Sequence, residues 1–175
     1  IAKACEKKNI SVDELLKELE SIDNKLMPSQ NYNKWEIDFL CDYIVNTHHA
    51  YVSEAIPLIL AYANKVAKVH GHAHPAAIEI NDKFKTIADE LNMHMVKEER
   101  VLFPYIKNMV TAFRNNEEIP KPPFGEVANP IHMMEAEHET VGNALKEIAQ
   151  LSNQYSPPDW ACNTFKALYA KLQEF

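Results

Sequence analysis

The sequence predicts an all-α protein, an up-down four-helix bundle with a small helical appendage at its N-terminus. Three observations carry this. Apolar residues recur at steps of three and four along four long segments, the period of an amphipathic helix. Glycine is only 3 of 175 residues, too few for a fold built on many tight turns. The interruptions between the segments are mostly short, as antiparallel neighbours require. An apolar share of 46% excludes wholesale disorder, and the length suits one well-buried domain plus an appendage.

The elements follow in order. Ser11-Val12-Asp13-Glu14 reads as a capping box, with Ser11 as N-cap and Glu14 three residues on. A short amphipathic helix follows through Leu15, Leu16, Leu19 and Ile22, and Met27 to Asn31 breaks it. Residues 1–30 are therefore expected to be the remnant of a small N-terminal helical domain, and residues 31–175 the bundle. The first bundle helix is expected from Trp35 to about His70, with Pro57 as a kink. Gly71 to Pro75 is a turn. The second runs from about Ala76 to Met109, with Pro104 as a kink or early stop. Residues 115–129 form a loop, and the third helix runs from Pro130, at its first position, to about Asn153. Ser156 to Asp159 is a turn with Asp159 as N-cap, and the fourth helix starts at Trp160 and is still running at Phe175. The sequence is read as part of a longer chain, with the fourth helix truncated.

Charge and motifs exclude several classes of function. The formal charge is −7, from 18 basic and 25 acidic residues with no basic run, which disfavours nucleic acid and anionic membrane surfaces as partners. Neither a dinucleotide-binding glycine motif nor a P-loop occurs, and no apolar run is long enough to span a bilayer. Cys5, Cys41 and Cys162 are an odd number, far apart and without a C-x-x-C. That is neither a disulfide framework nor a thiolate zinc site, and a reducing cytoplasm is the natural reading.

The polar residues on the apolar stripes carry the chemistry. The stripes run Val45, His49, Val52, Ile56, Ile59; then Phe84, Ile87, Leu91, His94, Glu98, Leu102, Tyr105; then Ile131, Met134, His138, Val141, Leu145, Ile148. Each places a histidine at a core position. A lone histidine there is ordinarily a hydrogen-bonded packing residue. An ionised Glu98 in a dry core, however, costs several kcal/mol unless it is paired or bound to metal. Three histidines on three helices and one glutamate are better explained together, as donors suited to zinc or iron. Height agrees, because rise is about 1.5 Å per residue in every helix. His49 lies 23 residues before the turn at residue 72 and His94 lies 22 after it, so antiparallel helices bring them level. The H-x-x-x-E spacing of His94 and Glu98 lets the histidine bind one metal while the carboxylate reaches between two. Metal removal is expected to leave Glu98 prone to protonation, since desolvation raises a carboxyl pKa.

Other residues read more plainly. His70, His72 and His74 form a His-rich turn, most simply a solvated one. His132 points away from the stripe. Glu135 and His138 form one E-x-x-H pair, where a ferritin-like site needs two. Glu99 and Glu137 flank the stripes as solvated residues or as carboxylates beside the site, Glu99 facing outward by about 100° from Glu98. Cys41 and Cys162 read as packing residues.

With these residues in hand, the sequence resembles the hemerythrin-like di-iron proteins, and more narrowly the bacterial repair-of-iron-centres family. The carrying strings are Tyr43-Ile44-Val45 with His48-His49, Ile56-Pro57, Val69-His70, His94-Met95-Val96-Lys97-Glu98-Glu99 with Leu102-Phe103-Pro104, Pro130-Ile131, Met134 to Glu139, and Cys162 with Phe165 to Tyr169. They cover essentially all of residues 35–175. The resemblance implies two non-haem iron ions in an oxo-bridged site held by four histidines and two bridging carboxylates. His49, His94 and His138 are then terminal ligands, Glu98 is one bridge, and Glu137 stands just outside the ligand set. The family's second H-x-x-x-E pair is expected just past Phe175 and its paired cysteines before Ile1; Cys5 is not that pair.

The implied role is repair of iron–sulfur clusters damaged by nitric oxide or oxidative stress, with iron donation and NO reduction as proposed chemistries. No catalytic residue is assigned. Damaged iron–sulfur proteins are the expected partners, NO or O₂ the small ligands, and a homodimer is compatible with the pattern. A gas-binding or sensing module and a metal-free structural bundle are the alternatives from other classes.

Overall fold

The computed structural model describes residue 11 and residues 31–175. The chain divides into two compact units, Ile1–Trp35 and Glu36–Phe175. The capping box to Glu14 and the helix expected over residues 15–22 lie outside the described residues. In the first unit the described part is a 3₁₀ turn, Tyr32–Lys34, with the Tyr32 ring edge-on to Trp35 at 5.0 Å.

The second unit is the bundle, and its described residues are helices and connections without a strand. The first rod joins α1 (Ile37–Tyr43) to α2 (Ala50–His70) through a widened π turn at Ile44–His49, where the Ala50 N–H donates to the Val45 carbonyl five residues back. The second joins α3 (Ala76–Lys97) to α4 (Phe103–Arg114) through another at Glu98–Leu102, where the Phe103 N–H donates to Glu98 O. α5 (Ala128–Leu151) and α6 (Asn163–Glu174) complete the four. α2 packs on α3 and on α6, and α3 packs on α5.

The prolines and caps differ from expectation in instructive ways. Helix α2 persists through Pro57. Pro104 does not stop the second rod either. Its ring clashes with the carbonyl four residues back, Arg100, and that residue lies in the widened turn, which makes room for it. Pro130 is the third residue of α5, still in the first turn where a missing N–H costs nothing. α6 starts later than expected, with Cys162 rather than Asp159 at its N-cap, because Pro158 to Ala161 closes a turn of its own. At the α2–α3 turn, a Cβ on Gly71 would meet Ala67 O at 2.3 Å and Ile78 at 2.6 Å, so only glycine lets the two helices turn this closely.

Two apolar clusters fill the bundle. The larger one centres on Ile59, Ile80, Phe84, Ile87, Ile148, Phe165, Leu168 and Tyr169. The smaller one contains Cys41, Leu102, Phe103 and Met134. Both π turns adjoin the smaller cluster, through Ile44 and Val45 in the first and Leu102 in the second. α6 ends beside Phe84, where the Phe175 ring lies 5.5 Å away, ten residues short of His94. Ile131 is 46% exposed, although the stripe predicts it in the core.

Candidate metal centre

Between the two clusters the bundle holds a layer of imidazoles and carboxylates. His49 closes the first π turn, Glu98 opens the second, His94 lies one helical turn before it, and α5 brings His138 alongside. The structure brings all four of these residues together. His49 Nε2 lies 2.9 Å from Glu98 Oε2. His94 Nε2 lies 3.4 Å from the same oxygen, and the His94 and His138 rings are 4.5 Å apart. Ligand atoms of His94, Glu98 and His138 all fall within 4.8 Å of one another. His49, His94 and Glu98 are buried, whereas His138 is exposed. A cavity of about 370 Å³ adjoins them, walled by Ile44, Val52, Leu91 and Met95 and lined also by His48.

The outer nitrogens of the two buried imidazoles are already taken. His49 Nδ1 is 2.9 Å from Glu99 Oε1, and His94 Nδ1 is 2.8 Å from Glu137 Oε2. A carboxylate only accepts, so each Nδ1 carries the proton and each Nε2 points inward. Glu137 is also ion-paired with Lys97. The Phe103 ring stacks on His49 at 5.9 Å and holds its plane. This is the arrangement that orients metal-binding histidines, in which a carboxylate behind the ring fixes its tautomer and direction.

Of the two readings of Glu99, a solvated residue or a carboxylate beside the site, the structure takes the second, although its expected outward direction does not hold. A regular α-helix turns about 100° per residue and sends Glu99 outward. In the widened turn at Glu98–Leu102 more residues share a turn, so consecutive side chains diverge less, and Glu98 and Glu99 both reach His49. Pro104 was the available signal, since a proline inside a helical pattern demands relief one turn before it.

The electrostatics reverse the expectation for Glu98. Burial pushes its pKa up, but the imidazoles of His49 and His94 outweigh burial and hold it at about 2. The carboxylate is therefore ionised without metal. Burial lowers the pKa of His49, while Glu98 and Glu99 raise it further than burial lowers it. For His94 the neighbouring Glu98 is the largest influence and raises it, burial opposes, and Glu137 adds to the rise.

The donor set fits a metal. His94 Nε2 is buried and makes no well-formed hydrogen bond, its ion-pair contact with Glu98 Oε2 being a long 3.4 Å, so a donor atom is left poorly satisfied unless something occupies the space before it. It faces Glu98 and His138, and imidazole with carboxylate suits iron or zinc.

His132, Cys41 and Cys162 stand outside this donor set. His132 meets Glu135 at 3.4 Å on the surface, which takes Glu135 out of any E-x-x-H site. Cys41 is buried packing, as expected, but Cys162 is exposed, with Sγ 3.2 Å from His70 Nε2. Among the described residues no helix is long and apolar enough to cross a membrane.

Comparison with known proteins agrees with a cation-binding bundle. Residues 42–175 match the family described as the Hemerythrin HHE cation binding domain. The chain is 30% identical over 175 residues to the iron-sulfur cluster repair protein YtfE of Yersinia pseudotuberculosis serotype IB (strain PB1/+), covering 100% of this chain and 73% of that one. The same protein of Yersinia pestis (strain Pestoides F) matches with the same identity and coverage.

Proposed function

We propose, because this chain belongs to the hemerythrin HHE cation-binding domain family, that it holds two non-haem iron ions in an oxo-bridged pair and helps repair iron–sulfur clusters damaged by nitric oxide or oxidative stress. His49, His94 and His138 are the proposed terminal ligands and Glu98 the bridge, with Glu99 and Glu137 orienting the two buried rings. The observation that carries the reading is the convergence of His94, Glu98 and His138 ligand atoms within 4.8 Å around a buried His94 Nε2 that makes no well-formed hydrogen bond.

Iron in such a site supplies redox chemistry and an ion that can be surrendered. The residues here supply the rest. Neutral imidazoles leave the site short of anions, so coordination positions stay open, and they let go of a metal more readily than a thiolate cage. Glu98 stays ionised on the evidence of its lowered pKa and is ready to coordinate without first losing a proton. Damaged iron–sulfur proteins are the proposed partners, the cytoplasm is the proposed compartment, and a homodimer is compatible with the reading.

A second reading, an O₂- or NO-binding module, draws on the cavity walled by Ile44, Val52, Leu91 and Met95, which suits a small apolar gas. Two measurements on the full-length protein separate these. Elemental analysis is expected to find about two irons per chain; one zinc and no iron excludes the di-iron reading. An iron–sulfur enzyme inactivated with NO is expected to regain activity with the iron-loaded protein and not with the metal-free one. A stable, reversible O₂ adduct without any reactivation favours the gas-binding module.

A further inference from the structure

We infer that Glu99 is a positioning residue that holds His49 by Nδ1, and that the surface cleft it lines makes the His49 side of the centre the side at which a divalent cation exchanges with solvent. The inference rests on the reading of His49, His94, Glu98 and His138 as a metal centre.

The two carboxylates behind the buried rings are unequally tied. Glu137 accepts from His94 Nδ1 and is also ion-paired with Lys97, and its side chain is 19% exposed. Glu99 accepts from His49 Nδ1, its side chain is 43% exposed, and among the described residues no lysine or arginine pairs with it. Behind Glu99 lies a cleft of about 430 Å³ lined by Asp42, Val45, Phe103 and Lys107. The one lysine there is 2.5 Å from Asp42 and so is engaged. If Glu137 swung away, it would strand a lysine and an imidazole together. If Glu99 swung into the cleft, it would strand only His49 Nδ1 and would gain water. Its departure frees the ring whose other nitrogen faces Glu98. The same carboxylate, turned outward, presents a negative charge to a hydrated cation at the cleft mouth. Behind His94, by contrast, the carboxylate is held in place by Lys97.

The test uses the full-length protein, stripped of metal and titrated anaerobically with Fe²⁺ against a ferrous chelator. Glu99→Ala is expected to weaken one of the two binding steps about 10- to 100-fold, the range for losing a carboxylate behind a histidine ligand, and to leave the other within about threefold. Glu99→Gln keeps an acceptor and is expected to lose less. In the wild type, the ion bound at the step that Glu99→Ala weakens is expected to leave first. A metal-independent reading comes from the metal-free protein, where the His49 Nδ1–H proton resonance is expected in the wild type and absent in Glu99→Ala, with far-UV circular dichroism unchanged. Unaltered or equally weakened steps in Glu99→Ala, a Gln variant as weak as Ala, or equal release rates from both positions overturn the inference while the metal centre stands. A wild-type chain that takes up no iron overturns the centre itself.

Discussion

His49 Nε2 and Glu98 Oε2 lie 2.9 Å apart, and they are the same two atoms proposed to face the metal. In the metal-free chain they hold each other. With Glu99 on Nδ1 and an ionised Glu98 on Nε2, both ring nitrogens donate, so His49 is an imidazolium. Metal binding then requires the Nε2 proton to leave. Below about pH 6.5, uptake of a divalent cation is expected to release about one proton per chain or more. A pH indicator in weakly buffered solution reads it, and binding without release shows that His49 is not a ligand.

The same contacts set the pH dependence of the metal-free fold. His49 and His94 have pKa values raised above 6.5, so their contribution is complete below 6.5 and is lost as pH rises through the folded values. Glu98 is lowered from 4.5 to about 2, so its contribution is complete above 4.5 and is lost as pH falls toward 2. The metal-free protein is expected to be most stable between about pH 4.5 and 6.5. Metal binding strengthens as imidazoles deprotonate, so the loaded protein's optimum moves to higher pH. Thermal melts across pH with and without chelator are expected to show the two optima apart, and coincident optima contradict the site.

Function and stability separate at His138. In a protein of residues 1–175, where His138 is exposed, His138→Ala is expected to change stability by no more than about 0.5 kcal/mol while lowering metal content. Glu98→Gln is expected to abolish both imidazole pairs and to weaken metal binding beyond the roughly 100-fold typical of supporting residues. Calorimetry and elemental analysis on the two variants check this.

Packing predictions fall away from the centre. Ile148 is fully buried in the larger cluster, and Ile148→Ala is expected to cost about 2–5 kcal/mol with metal stoichiometry unchanged. Chemical denaturation measures it, and a loss under about 1 kcal/mol means the cluster is looser than described.

Gly71→Ala forces a Cβ to within 2.3 Å of a backbone carbonyl. Overpacking of this kind is expected to cost about 1–3 kcal/mol and to disturb the α2–α3 crossing that brings His49 level with Glu98. Lower stability together with weaker metal binding is the expected pair of results.

Periodicity alone determined a good deal here. Apolar residues at steps of three and four specify four helices, and the same count places His49, His94 and Glu98 on inward stripes, because burial of an amphipathic face is a local property of the sequence. Helix rise and a short turn also bring His49 and His94 to one height, since each helix climbs by the same amount per residue.

Tertiary structure decided what periodicity does not carry. Whether Glu99 faces water or His49 depends on a backbone hydrogen bond shifted from four residues to five at Glu98–Leu102, and an apolar stripe reads almost the same in either register. Whether Glu98 is protonated depends on two imidazoles from different helices arriving within reach, which burial alone predicts with the wrong sign. Whether His138 meets His94 depends on α5 packing alongside α3, a contact between helices distant in sequence. A stripe fixes which residues share a face; contacts between helices fix what that face meets.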